Sequence, residues 1–202
     1  MMHTNEITLT DKLNESQKMQ ASTIVFDGFQ KKLASVWLYD NDKERMLPCL
    51  KACLQFDSGL YALHGDQVLG VVGINTGHAF VAPRYKVLKL TYGRWGALWR
   101  SFQNFLIFRC FASFKHEAMH IDLLATAKEA RGTGIGTKLL EAAFERAKEQ
   151  HIEKISITVV DTNPRARQLY ERLGFVHVET KDYGKNTASM GFSKESKLVK
   201  TI

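Results

Sequence analysis

The sequence predicts a single α/β (α+β) domain built on a sheet that contains at least one parallel strand pair. Three observations carry this. Apolar alternation and helical periodicity succeed each other through residues 118–175, as a strand, helix, strand, helix series, and such a crossover joins parallel strands. An Asp-containing turn, Gly65-Asp66, separates two apolar runs in the first half and reads as a hairpin. The composition is globular, with 45% hydrophobic and 24% charged residues in 202, which excludes disordered, collagenous and coiled-coil chains.

In order along the chain, Glu6–Leu13 reads as a strand. Glu15–Leu33 reads as a helix, with Phe26, Phe29 and Leu33 at helical spacing. Asp40–Phe56 is a second helix. Leu60–His64 and Val68–Asn75 form the hairpin. Within 84–114, Trp95, Leu98, Trp99, Phe102, Phe105 and Leu106 recur at helical spacing. This aromatic-rich insertion is expected to cover one face of the sheet, with a membrane-surface helix or a dimer interface as the other readings. Ala118–Thr126 is a strand. Gly134–Gln150 is a helix whose Ile135, Leu139, Leu140, Ala143, Phe144 and Ala147 form one stripe. Ile155, Ile157 and Val159 alternate in the next strand, and Pro164–Leu173 is a short helix. Phe175–Thr180 and Ala188–Phe192 are read as two closing strands joined by Lys181–Asn186.

Charge and composition narrow the function classes. Lys and Arg number 28 against 21 Asp and Glu, a formal net charge of +7. This suits anionic partners without choosing among them. The Lys and Arg are scattered, and no helix-turn-helix or RNA-binding signature appears, so no nucleic-acid partner is expected. Arg100, Gln103, Asn104 and Arg109 interrupt the longest apolar stretch, so no membrane insertion is expected either. The N-terminus lacks the apolar core of a signal peptide. Cys49, Cys53 and Cys110 cannot all pair, and reduced thiols in a cytoplasmic protein are the expectation. No spacing of His or Cys fits a metal site.

The most informative run is Arg131-Gly132-Thr133-Gly134-Ile135-Gly136-Thr137, between an apolar strand and an amphipathic helix. Its glycines permit close backbone approach, and the helix start presents free N–H groups, a combination suited to phosphate. The order breaks both the Walker and the dinucleotide fingerprints. It matches, without a gap, a [Q/R]xxGxG pyrophosphate loop through Arg131, Gly134 and Gly136. About thirty residues on, Asn163-Pro164 opens a helix as cap and first residue, and Gly174 closes it.

Together, Leu124-Ala125-Thr126, the 131–136 loop and Asn163…Tyr170…Gly174-Phe175 resemble the GCN5-related N-acetyltransferase (GNAT) superfamily. The resemblance implies a mixed, splayed central sheet flanked by helices, with acetyl-CoA as co-substrate between two parallel strands. It implies that the backbone of Leu124, Ala125 and Thr126 pairs with the pantetheine arm and acetyl carbonyl. Backbone groups of Arg131, Gly132, Thr133, Gly134, Ile135, Gly136 and Thr137 would hold the pyrophosphate. Asn163 would contact the cofactor arm, and Tyr170 would protonate the leaving thiolate. His120 is the candidate base, with Asp122 to orient or replace it; barring a bulge, both share a strand face with Leu124. The acceptor is an amine, of a small molecule or of a peptide or protein. Its site is nominated at Phe26–Tyr39, Lys181–Asn186 and the insertion around Trp95–Phe108. Other classes of reading are a non-catalytic acyl-CoA sensor on the same fold and a nucleic-acid or membrane-surface module. A homodimer is left open.

Overall fold

The computed structural model describes residues 7–110 and 117–202. Met1 to Glu6 and residues 111–116, with the end of the insertion, lie outside the described residues, as do the side chains of 36 and 107–110. Strand β1 is Ile7–Thr10. Helix α1, Glu15–Lys32, opens with a reciprocal capping box in which Asn14 accepts from the Gln17 N–H and the Gln17 side chain accepts from the Asn14 N–H. It runs into a wide-turn segment at Leu33–Trp37. Helix α2, Lys43–Cys53, starts three residues after the expected Asp40, because the Asp42 side chain caps it by accepting from the Glu44 and Arg45 N–H groups. It buries Cys49 and Cys53 one turn apart. The hairpin follows as β2, Gly59–His64, and β3, Gln67–Asn75.

Helix α3, Tyr85–Cys110, is continuous but for a kink at Gly93, whose φ of 70° leaves the helical region. The second half then runs β4 (Met119–Thr126), α4 (Ile135–Glu149), β5 (Lys154–Val160), α5 (Pro164–Arg172), β6 (Val176–Asp182) and β7 (Lys194–Thr201). These seven strands form one sheet in the order β1-β2-β3-β4-β5-β7-β6, antiparallel throughout except for the β4–β5 pair. The mixed sheet flanked by helices is as expected.

Three local expectations are corrected. Residues 188–190 belong to a 3₁₀ segment, Gly184–Met190, and the closing strand is β7. Its Lys-Glu-Ser-Lys start disguises a strand paired on both sides, in which Ser196 and Lys197 are buried and Lys197 Nζ meets Glu117 at 3.1 Å. The aromatic face of α3 does not cover the sheet. Trp95 is 79% and Trp99 60% exposed, and the helix packs on α2 and the 33–37 segment through its other face. Finally, the β3–β4 register shifts: Gly73 faces Leu123 while Ile74 faces Ile121, so Asp122 is an extra, bulged residue.

Candidate active site

The site arises where the sheet splits. β4 and β5 pair only over Met119–Ile121 with Ile155–Ile157. Beyond that point the strands diverge, and the β4 edge from Asp122 to Thr126 has no ladder partner on the β5 side. Two cavities open there, of about 670 and 820 Å³. They share the walls Gly28, Phe29, Leu124, Asn163, Ala166 and Tyr170, so they are the two ends of one cleft passing through the sheet.

The larger end is lined by Leu124, Ala125 and Thr126, by the 131–137 loop except Thr133, and by Asn163, Arg165 and Arg172. Gly132 and Gly134 adopt φ of 79° and 87°, conformations that a side chain resists. The first α4 bond of this loop runs from Lys138 N–H to the Gly134 carbonyl, 3.1 Å. Helix geometry therefore leaves the N–H groups of Ile135, Gly136 and Thr137 without intrahelical acceptors at the positive end of the α4 dipole. Thr133 turns inward, its hydroxyl donating to the Ala130 carbonyl at 2.7 Å. With Arg131 beside it, this end fits a diphosphate: N–H donors, positive charge and space. Asn163 caps α5 by accepting from Ala166 N–H at 3.2 Å. This occupies its oxygen and leaves its NH₂ to the cleft that both cavities share.

Tyr170 stands at the junction. It is buried, its ring packs on Phe175 at 6.0 Å between centroids, and no protein group among the described residues bonds to its hydroxyl. Burial pushes its phenol well above the usual tyrosine range. At neutral pH it is a proton donor and not a base.

The smaller end contains Asp27, Lys31, Lys32, Asp122, Thr158, Glu195 and the Met190–Phe192 segment. From the nominated acceptor elements, 27–32 lines it. The β6–β7 connection contributes through 190–192 and not through 181–186. Neither cavity is lined by the aromatic insertion. Asp122 faces this end, accepting from Phe80 N–H at 2.6 Å and from Asn75 Nδ2 at 3.3 Å. His120 is not brought to the cleft. It is 4% exposed, its Nδ1 is 2.9 Å from Ser156 Oγ, and it lines neither cavity. The bulge is the cause: in register, His120, Leu123 and Ala125 share one face, and Leu124 takes the other. Packing agrees with these sides: a Cβ added to Gly28 of α1 would meet Ala125, and one added to Gly136 of α4 would meet the Leu124 side chain.

Glu195 and Asp27 were not legible as site residues. Glu195 becomes visible only once β7 is placed correctly: opposite Val160 of β5, it is half-buried in the wall of the acceptor-side cavity. Asp27 is ion-paired with Lys43 at 3.3 Å.

The cleft thus lies between two parallel strands, with a helix N-terminus at one end and carboxylates at the other. The profile of the acetyltransferase (GNAT) family matches residues 29–175, and the chain belongs to that family. It is 41% identical over 56 residues to N-alpha-acetyltransferase 30 of Schizosaccharomyces pombe, covering 28% of this chain and 37% of that protein. With its counterpart in Saccharomyces cerevisiae it shares 33% over 60 residues, 30% of this chain and 34% of that one. The matches thus span about a third of these relatives' length. Among solved structures, a GCN5-related N-acetyltransferase from Kribbella flavida has the same fold, with a TM-score of 0.61 at 16% identity, covering 99% of this chain and all of that one.

Proposed function

We propose that the protein is an acetyl-CoA-dependent N-acetyltransferase that moves the acetyl group directly to a primary amine in a ternary complex. The observation that carries the reading is the through-sheet cleft, with a donor-rich loop at one mouth, carboxylates at the other and Tyr170 between. The thioester supplies the acyl group and its leaving thiolate. In this reading the 131–137 loop holds the diphosphate, and Leu124, Ala125 and Thr126 offer their unpaired β4 edge to the pantetheine arm. An N–H of that edge polarises the acetyl carbonyl. The amine nitrogen forms the new C–N bond as the C–S bond breaks. Tyr170 gives its proton to the departing sulfur, and the amine's proton leaves towards the acceptor-side carboxylates.

Two of those carboxylates differ in availability. Asp122 already accepts from two protein donors, which engages both of its oxygens. Glu195 has no such donors among the described residues and is the better candidate for steering the ammonium and receiving its proton. His120, bonded to Ser156 and outside both cavities, has no direct part in this reading. The resemblance to two N-alpha-acetyltransferases favours the α-amine of a peptide as acceptor. The buried Cys49 and Cys53 thiols suit a reducing compartment such as the cytoplasm. Calorimetric titration tests the cofactor half: wild type binds acetyl-CoA, and Gly134→Val, which fills the loop and forces its φ, loses most of that affinity. Absence of binding by folded wild type overturns the reading.

A further inference from the structure

Helix α3 is amphipathic the wrong way round for a helix of a protein interior. On a 3.6-residue wheel, Trp95, Leu98, Trp99, Phe102, Phe105 and Leu106 fall within an arc of about 120°. All six face solvent, with Trp95 79%, Trp99 60% and Phe105 60% exposed. The polar side chains occupy the opposite, packed face. Arg100 donates to the carbonyls of Leu38 at 2.7 Å and Tyr39 at 3.3 Å and lies 3.6 Å over the Tyr92 ring. Asn104 donates to the Trp37 carbonyl and accepts from the Tyr39 hydroxyl. These bonds fix which face points outward; rotating the helix to bury its aromatics would break them.

The charge along this stretch of sequence is equally one-sided. Although Lys and Arg are scattered along the chain, Asp and Glu are not. Residues 67–116 contain seven Lys or Arg and no acidic residue, so this stretch alone carries the chain's formal net charge of +7. Arg84, Lys86, Lys89 and Arg94 are exposed on the N-terminal part of α3 or just before it.

We propose that α3 docks the protein on an anionic lipid surface, its aromatic and leucine stripe entering the headgroup boundary and its basic residues meeting the lipid charge. Tryptophan and flanking cations are the residues that settle at such boundaries. A second copy of the chain is the poorer occupant, because two such faces would bring unopposed positive charge together. Nucleic acid is also poorer, since the centre of the face offers aliphatic and aromatic bulk and its cations lie at one end. No helix among the described residues is long and apolar enough to cross a membrane, so docking would be peripheral. The 33–37 segment gripped by the polar face of α3 directly continues the 27–32 stretch that lines the acceptor cavity. Docking would therefore hold that end of the cleft near the lipid.

The test is co-sedimentation of the full chain with vesicles of phosphatidylcholine alone and of phosphatidylcholine with roughly 30 mol% phosphatidylglycerol. The proposal expects binding only to the second, a blue-shifted tryptophan emission, and a loss of roughly tenfold or more in affinity at about 1 M salt. Trp95→Glu/Trp99→Glu abolishes binding, and Lys89→Glu/Arg94→Glu, which keeps both tryptophans, weakens it; circular dichroism confirms that both variants are folded. Failure of wild type to bind anionic vesicles overturns it. So does lipid-free self-association that the tryptophan variant removes, or oligonucleotide binding that competes with the vesicles.

Discussion

Two glycines of the 131–137 loop, two residues apart and both in the wall of the larger cavity, are expected to respond to alanine with opposite signs. At Gly134 an added Cβ meets nothing within 4 Å, so no packing term opposes it. The cost is torsional: its φ of 87° places an L-residue in the left-handed region, at about 1–2 kcal/mol. Restricting the unfolded chain returns about 0.4–1 kcal/mol of this. Gly134→Ala should therefore be destabilising by about 1 kcal/mol. Gly136 lies in the first turn of α4, and its Cβ would make ordinary contacts of 3.5 and 3.6 Å with Leu169 and Leu124. Gly136→Ala should be stabilising by up to about 1 kcal/mol, from helix propensity. At roughly 2–4 °C per kcal/mol for a chain of this size, the two midpoints should separate by about 4–8 °C about the wild-type value. Thermal unfolding followed by circular dichroism reads this directly. Equal shifts, or Gly136→Ala being the less stable variant, would refute the loop conformation on which the diphosphate site rests.

Tyr170→Phe should lower kcat roughly 10²–10⁴-fold with the midpoint of unfolding little changed, and the wild-type alkaline limb should lie above pH 10, because burial raises the phenol's pKa. A rate unaffected by the substitution, with chemistry rate-limiting, would remove Tyr170 from the mechanism. Glu195→Gln should lower kcat/KM for a cationic amine by roughly 10–100-fold, as expected for loss of a charge-assisted contact, while acetyl-CoA affinity measured by calorimetry stays constant. Asp40→Asn should reduce stability at neutral pH. The Arg45 guanidinium, 2.7 Å away, holds the Asp40 carboxyl well below the usual range, so its contribution is present above an ordinary Asp pKa of about 3.9 and is lost as the pH falls towards the native value. Unfolding curves of the two proteins should accordingly converge in acid; a constant gap would argue against the ion pair as the cause.

Much of the lining of the candidate cleft was legible because its residues do local work that leaves a sequence trace. Asn163 and Pro164 start α5 whatever else they do, and Gly134 is required by its own dihedral. The α4 stripe and the Gly65-Asp66 hairpin are likewise local. What escaped depends on neighbours in space. The bulge at Asp122 shows no residue-level signal, yet it decides that His120 turns to Ser156 and away from the face of Leu124. β7 reads as polar because its buried Ser196 and Lys197 find side-chain partners remote in sequence, Thr180 of β6 and Glu117 just before β4, and misplacing it hid Glu195. The periodicity of α3 was readable, but not its orientation, since Arg100 and Asn104 find their acceptors on the 33–39 backbone.

Acetyl transfer from acetyl-CoA through this cleft is read out by release of free thiol. Purified wild type is given acetyl-CoA with a panel of peptides bearing free α-amines, polyamines and amino acids, and free CoA thiol is followed by colour development. The account predicts amine-dependent release of one thiol per acetylated amine, confirmed by mass, and a large loss in Tyr170→Phe. Acetyl-CoA bound by calorimetry with no thiol released for any amine would contradict catalysis and leave a binding protein on the same fold.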